Sequence, residues 1–302
     1  MGTINSSKRK RKKAKSKKFG ADLRNIKSRY ILKEIVNILD KGKLLKIIKY
    51  NKELQNRLNL SIKNYKDFLE IEIEIIPIKN RYNDYMNIIN IENNYYHIYF
   101  NNDKIETKRN YLNKNDNVEK IKIVIDNRVK SFKNLFSNCI CIESINFIRF
   151  KRNNITDMSC MFNRCLSLKE LNLLSFNTDN VVDMNGMFSY CTSLTYLNLS
   201  SFNVSNVTNM GYMFCGCSSL KELNLSNFKN NVATDINSMF RGCSALNVIN
   251  LSNFDINKVN IKRYMFSGCS SLKEIYFHKN YDKKNYIYDK SMFYGCSAKI
   301  NN

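Results

Sequence analysis

The chain has 302 residues, a formal net charge of +23, and 43% hydrophobic and 12% aromatic residues. This hydrophobic content excludes a wholly disordered chain, and the sequence holds no run of 18 apolar residues that would indicate a transmembrane helix. No apolar segment follows the charged N-terminus, so we expect no secretory signal peptide and an intracellular protein with reduced thiols.

Residues 1–21 are predicted to be a disordered basic tail. Residues 1–6 match M-G-x-x-x-[ST], which makes Gly2 a candidate for N-myristoylation. One acyl chain binds membranes marginally, and a polybasic patch is a second signal that stabilises anchoring. A nuclear-import signal is the alternative interpretation of the same basic run. The candidate basic cluster consists of Lys8, Arg9, Lys10, Arg11, Lys12 and Lys13.

Residues 22–117 predict a small α+β domain whose first half is helical. Apolar stripes at 31–39, 44–48 and 54–58 indicate helices. Residues 31–58 resemble an F-box, without its opening Leu-Pro and its Trp, and this resemblance implies a substrate adaptor of a ubiquitin ligase. Alternating apolar and glutamate residues over 69–77 predict a half-buried strand, and residues 96–105 predict a hairpin around Asn101, Asn102 and Asp103.

Residues 118–302 are organised by a repeat of 26 residues. Apolar residues follow the first five repeat cysteines at +3, +6, +8 and +11, and the copy after Cys269 keeps the first three and then diverges. A V-x-x-M step, as at Val181 and Met184, leads into the next Met-Phe pair. This pattern predicts a strand followed by a turn and a short helical turn on the outer wall. Met-Phe-x-x-Cys, with Leu for Met in the first copy, ends at cysteines separated by five intervals of 26 residues and one of 27: Cys139, Cys165, Cys191, Cys217, Cys243, Cys269 and Cys296.

A fixed period in the twenties is typical of a solenoid, in which each unit packs only on its neighbours. Ile121, Val129 and Phe132 lie 26 residues before Phe147, Ile155 and Met158, so we count a degenerate first coil near residue 118. The fold class that we predict is an α/β solenoid, a leucine-rich-repeat solenoid of about seven coils, preceded by the α+β domain.

The motif M-F-x-x-C-x-S-L-x-x-L-N-L-S-x-F, as in residues 213–228, resembles the BspA-like class of leucine-rich repeats. The resemblance covers residues 135–297. It implies a solenoid used for adhesion or protein binding. Since members of this class carry the label of surface proteins, it also implies a surface adhesin as an alternative to an intracellular scaffold.

The outward positions of the predicted strands form a candidate concave face for a protein partner. Its asparagine column either forms a hydrogen-bonded ladder or presents a polar strip to an extended peptide, with specificity at the positions that depart from the columns. Glutamates on this face disfavour nucleic acid. The candidate residues are Asn146, Glu170, Asn172, Tyr196, Asn198, Glu222, Asn224, Val248, Asn250, Glu274, Tyr276 and His278.

The sequence contains no catalytic constellation. His97 and His278 are the only histidines, and no C-x-x-C pair, glycine-rich phosphate loop or nucleophile elbow occurs. We interpret the repeat cysteines as a buried column of reduced thiols. The sequence therefore predicts a non-enzymatic protein-interaction scaffold without a cofactor or metal. We expect it in the cytoplasm and at a membrane surface, or alternatively in the nucleus.

Overall fold

The computed structural model describes residues 26–28, 51–58, 70–79, 85–90, 95–126, 128–229, 232–281 and 291–301. Gly2, the basic cluster and the first two helical stripes of the F-box-like segment lie outside these residues. The chain divides into two compact units, Met1–Glu70 and Ile71–Asn302. The predicted boundary between residues 117 and 118 therefore falls inside the second unit.

In the first unit, one α-helix is described, α1 (Lys52–Leu58), at the third predicted helical stripe. Asn51 caps its N-terminus, since the Asn51 Oδ1 accepts a hydrogen bond from the Leu54 N–H at 3.1 Å. Leu54 is fully buried. The Arg57 guanidinium donates to the main-chain carbonyls of residues 26 and 27, which fixes the last turn of the helix.

The second unit begins with strands that pair mostly antiparallel. They are β1 (Ile71–Pro77), β2 (Met86–Asn87), β3 (Tyr96–Phe100), β4 (Tyr111–Leu112), β5 (Ile121–Ile125) and β6 (Ile142–Arg149). β1 has the alternating burial that the sequence predicts, and its outer face carries ion pairs from Glu72 to Lys122 at 2.7 Å and from Glu74 to Lys120 at 2.5 Å. The predicted hairpin is also present: Asn101 and Asn102 have φ of 49° and 64°, and β3 pairs with the returning chain at Thr107.

Seven strands follow the repeat among the described residues: β6, β7 (Glu170–Asn172), β8 (Tyr196–Leu197), β9 (Glu222–Leu223), β10 (Val248–Asn250), β11 (Glu274–Tyr276) and β12 (Lys299–Asn301). The strand of the predicted degenerate first coil, β5, does not pair with β6, because β1 lies between them and pairs antiparallel with both. An antiparallel neighbour buries alternate residues just as a parallel one does, so the apolar period could not distinguish them. β12, which the sequence pattern did not predict, pairs in parallel with β11.

We call the turns at 160–164, 186–190, 212–216, 238–242 and 264–268 the turn wall. They contain no α-helix, in contrast to the helical turn that the sequence predicts. Two residues per turn, such as Cys160 and Arg164, have φ of 53° and 58°. Alternate N–H groups are thereby directed at the next coil, as in the bonds from Phe162 to the Met187 carbonyl at 2.8 Å and from Phe188 to the Met213 carbonyl at 2.9 Å.

A column of stacked phenylalanines forms the core of the repeats. Neighbouring rings from Phe136 to Phe293 have centroids 5.5–5.6 Å apart and lie within 15° of parallel. The repeat cysteines lie beside this column. The thiols of Cys165, Cys191, Cys217, Cys243 and Cys269 each donate to the carbonyl of the phenylalanine 29 residues earlier, at 3.0–3.2 Å. Burial raises the pKa of these thiols.

Candidate functional site: the strand face

We call the side chains four, five and seven positions after each repeat cysteine the strand face. Parallel pairing brings Tyr196 beside Glu222 and Val248 beside Glu274. The predicted face residues are exposed or half-buried in the structure. Of the predicted concave-face residues, His278 alone is outside the strand face: it lies beyond β11 in a turn, where its Nδ1 accepts from the Asn280 N–H at 3.3 Å.

The asparagine column is not a ladder. In the described chain, one bond joins two of its members, from Asn172 Nδ2 to Asn146 Oδ1 at 2.9 Å. Each later asparagine instead accepts the backbone N–H two residues on, at 3.0 Å for Asn198 and Asn224 and 2.9 Å for Asn250. Their Nδ2 groups have no acceptor among the described residues, so the column presents free N–H donors.

The strand face alternates between charged and apolar coils. Glu170, Glu222 and Glu274 each follow an exposed lysine, namely Lys169, Lys221 and Lys273. The coils between them carry Tyr196 and Val248 at the glutamate position, which are 58% and 46% exposed. Our sequence reasoning included the glutamates and missed the lysines, although both are visible in the repeats. The face is therefore close to neutral and contains isolated apolar side chains.

The hydrogen-bonded sheet beneath this face is interrupted. β6 and β7 are the last two strands of one sheet, β8 and β9 form a second sheet, and β10 to β12 form a third. The breaks fall between β7 and β8 and between β9 and β10, immediately before the two apolar coils. In the described residues, the strands of the repeats therefore do not form one continuous hydrogen-bonded sheet.

At the C-terminal end of the face, Tyr276 and Glu274 form a fixed pair. The Tyr276 hydroxyl donates to Glu274 Oε2, which also accepts from Asn301 Nδ2 at 3.0 Å. The hydrogen bond to Glu274 raises the pKa of Tyr276. Side-chain hydrogen bonds therefore connect residues 274, 276 and 301 at this end of the face.

A second exposed surface, which the sequence did not reveal, lies on the turn wall. Tyr190, Tyr212 and Tyr264 are each 40–44% exposed. Arg164 lies over the Tyr190 ring at 5.4 Å and Arg241 over the Tyr264 ring at 5.8 Å. These tyrosines occur at two different positions of the repeat, so they form no simple sequence column.

Within the described part of the chain, no cluster of three or more His, Cys, Asp or Glu side chains could hold a metal ion. The same residues include no helix with the length and apolar character needed to cross a bilayer.

Comparison with known proteins gives one family and one solved structure. The family described as "Mycoplasma protein of unknown function, DUF285" matches residues 130–247 and 195–302. A crystal structure of a leucine-rich repeat protein from Bacteroides ovatus is 25% identical and has a TM-score of 0.30. That match covers 49% of this chain and 41% of the Bacteroides chain. The curated proteins contain no match.

Proposed function

Because the chain belongs to the family described as Mycoplasma protein of unknown function, DUF285, whose description assigns no activity, we propose a function from the repeat itself. The repeats form a leucine-rich-repeat solenoid of the BspA-like kind, and its strand face binds an extended segment of a partner protein. The observation that carries this proposal is the free N–H donors beside exposed Tyr196 and Val248.

The chemistry of the face favours a backbone ligand. Asn198, Asn224 and Asn250 offer amide donors in successive coils, and an extended peptide has carbonyl groups that need donors. The apolar side chains between the charged coils can bury small apolar groups of the ligand. The lysine and glutamate pairs at the charged coils accommodate ligand side chains of either charge. They therefore select the register in which the ligand binds rather than attracting it through net charge.

The spacing of the coils favours one backbone conformation for the ligand. Adjacent strands lie about 4.8 Å apart, so the apolar coils recur about every 9.6 Å. A polyproline II helix repeats every three residues, or about every 9.3 Å, and makes no internal hydrogen bonds. We therefore propose that the bound segment adopts this conformation, with an apolar side chain at every third position and carbonyl groups free to accept from the asparagines.

Selection from a library of displayed 12-residue peptides, with the full chain as bait, tests this function. Peptides with apolar residues at a period of three should be enriched. Binding, measured by fluorescence anisotropy, should weaken at least tenfold with Tyr196→Ala combined with Val248→Ala, because both apolar contacts are lost. Tyr212→Ala combined with Tyr264→Ala, a control of similar exposure on the turn wall, should leave affinity unchanged. Enriched peptides that bind both variants equally well would contradict the proposal.

A further inference from the structure

A cavity of about 440 Å³ lies between the start of β3 and the segment at 128–135, which precedes the first repeat cysteine. We call it the basic pocket. Its lining consists of Asn90, Tyr95, Tyr96 and residues 128–131 and 133–135. All of these residues belong to the second compact unit. None of these residues belongs to the strand face, and nothing in the proposed function uses the pocket.

The described lining of the basic pocket carries three cationic side chains, Arg128, Lys130 and Lys133, and no carboxylate. Arg128 is neutralised by Asp126, with which it makes two hydrogen bonds, at 3.0 Å from Nε and 2.9 Å from Nη2. Lys130 and Lys133 form no ion pair with any described residue. The pocket therefore has two uncompensated positive charges at its surface.

A third positive charge lies next to the pocket, inside the protein. Arg152 is 2% exposed, and its Nη1 donates to the carbonyls of Asp126 at 3.0 Å and Val129 at 2.9 Å. Val129 is itself part of the pocket lining. The Nε and Nη2 atoms of Arg152 have no hydrogen-bond partner among the described residues. Burial lowers the pKa of Arg152 to about 10, although the Asp126 charge opposes this shift, so the guanidinium is charged at neutral pH. A buried cation is costly unless an anion lies nearby.

The walls of the basic pocket are preformed. The Asn90 side chain connects its own segment to the turn at 134–138, because its Nδ2 donates to the carbonyls of Asn134 at 2.7 Å and Ser137 at 2.8 Å. Arg128 lies 4.1 Å from the centre of the Tyr95 ring, which orients that ring at the pocket edge. The Ser131 hydroxyl oxygen accepts from the Lys133 N–H at 3.1 Å, which leaves its own hydrogen free to donate. A ligand would thus meet an ordered set of donors.

We propose that the basic pocket binds a small molecule that carries a phosphate group. Lys130 and Lys133 contact the phosphate oxygens, the Ser131 hydroxyl donates to one of them, and Tyr95 and Tyr96 contact the organic part. A phosphate monoester carries close to two negative charges at neutral pH, which matches the two uncompensated lysines better than a single carboxylate does. The field of buried Arg152 adds to the attraction without direct contact.

Ligand-observed ³¹P NMR on the full chain tests this proposal, with inorganic phosphate and phenyl phosphate as probes at constant ionic strength set by chloride. The wild-type protein should show saturable binding of phenyl phosphate. Lys130→Gln combined with Lys133→Gln should weaken that binding at least tenfold, while the basic cluster near the N-terminus remains present in both proteins. Lys221→Gln combined with Lys273→Gln on the strand face, which removes the same charge elsewhere, should leave binding unchanged.

Three results would overturn the proposal. The first is the absence of saturable binding of both probes to the wild-type protein. The second is equal binding by the two double variants, which would assign the phosphate affinity to general positive charge. The third is tighter binding of benzoate than of phenyl phosphate, measured by how well benzoate displaces phenyl phosphate in the same ³¹P experiment, which would identify the site as a carboxylate site. Tighter binding of phenyl phosphate than of inorganic phosphate would support the contact between the tyrosines and the organic part.

Discussion

The turn wall and the strand face are built from the same repeats but hold them together differently. On the turn wall, hydrogen bonds join neighbouring coils throughout the described turns, as from Arg164 to Ser189 and from Gly242 to Ser267, both at 2.8 Å. On the strand face, the backbone hydrogen bonding between neighbouring strands is interrupted twice, and the exposed residues vary from coil to coil. The turn wall and the core therefore supply the stability of the stack, and this leaves the face free to vary its side chains.

The largest expected effect lies in the core. Phe214 is fully buried and stacks on Phe188 and Phe240, each at 5.6 Å, so Phe214→Ala should lower the free energy of unfolding by about 3–5 kcal/mol. Tyr196→Ala on the strand face should change it by less than about 0.5 kcal/mol. Urea unfolding followed by circular dichroism measures both. Equal effects of the two substitutions would mean that the face also carries the stability of the stack.

The second comparison is between two glycines of the turn wall. Gly216 and Gly242 both have φ of +73°, but a Cβ on Gly216 would meet the Tyr190 ring at 2.6 Å, whereas one on Gly242 would meet no atom closer than 3.6 Å. The left-handed backbone alone should make Gly242→Ala cost about 1–2 kcal/mol. Gly216→Ala should cost about 2–3 kcal/mol, because displacing the ring adds an overpacking term.

A double-mutant cycle separates these two causes. In a Tyr190→Ala background, the two glycine substitutions should cost the same free energy of unfolding, since the ring is gone and only the backbone strain remains. A difference that persists without the tyrosine would place the additional cost of Gly216→Ala elsewhere in the turn.

The third prediction concerns pH and the buried thiols. Burial raises the pKa of Cys217 from its ordinary value near 9 to about 12. The folded protein therefore holds this proton while the unfolded chain loses it. The contribution of this thiol to the free energy of unfolding should be complete below pH 9. It should then decrease between pH 9 and 12 by about 1.4 kcal/mol per pH unit. Cys217→Ala should reduce that slope by this amount, and the difference between the two proteins isolates the thiol because all other ionisable groups are the same in both.

Urea unfolding of the two proteins at pH 8, 9, 10 and 11 measures the slope. Parallel pH profiles would show that Cys217 ionises alike in the folded and unfolded chains. Substitution of half-buried Cys296 by Ala provides the matched control, because burial raises the pKa of that thiol also but its side chain is partly accessible. Cys296→Ala should reduce the pH dependence of the free energy of unfolding less than Cys217→Ala does.

The sequence predicted the buried positions of the repeat well, because each apolar column recurs with the same residue type. Phe162, Cys165 and Leu168 are all fully buried, as the repeat implies. The alternation in β1 was equally informative. In both cases the period of the pattern reports burial directly.

The path of the turn wall was not predictable in the same way. Arg164, Tyr190 and Tyr212 have positive φ, and none of them is a residue type that favours this region, so the inter-coil hydrogen bonds override local preference there. The insertion of β1 beside β6 and the basic pocket both bring together segments far apart in sequence. Periodicity within one segment carries no information about such pairings, and this is why the pocket residues were not among the predicted sites.

The smallest predicted effect has the opposite sign and also concerns the turn wall. Ser238 is 1% exposed with φ of 54°, and its hydroxyl has no hydrogen-bond partner in the part of the chain that the structure describes. Gly186 occupies the same position two coils earlier with φ of 59°. Ser238→Gly should therefore raise the free energy of unfolding by about 1 kcal/mol, since relief of backbone strain and of a buried unpaired hydroxyl exceeds the added chain entropy. Ser267, also buried, has an ordinary φ, so Ser267→Gly should instead lower stability by about 0.5–1 kcal/mol. Urea unfolding of both variants measures these changes. If the two substitutions shift the urea midpoint of unfolding in the same direction, left-handed backbone strain is not what distinguishes these two positions of the turn wall.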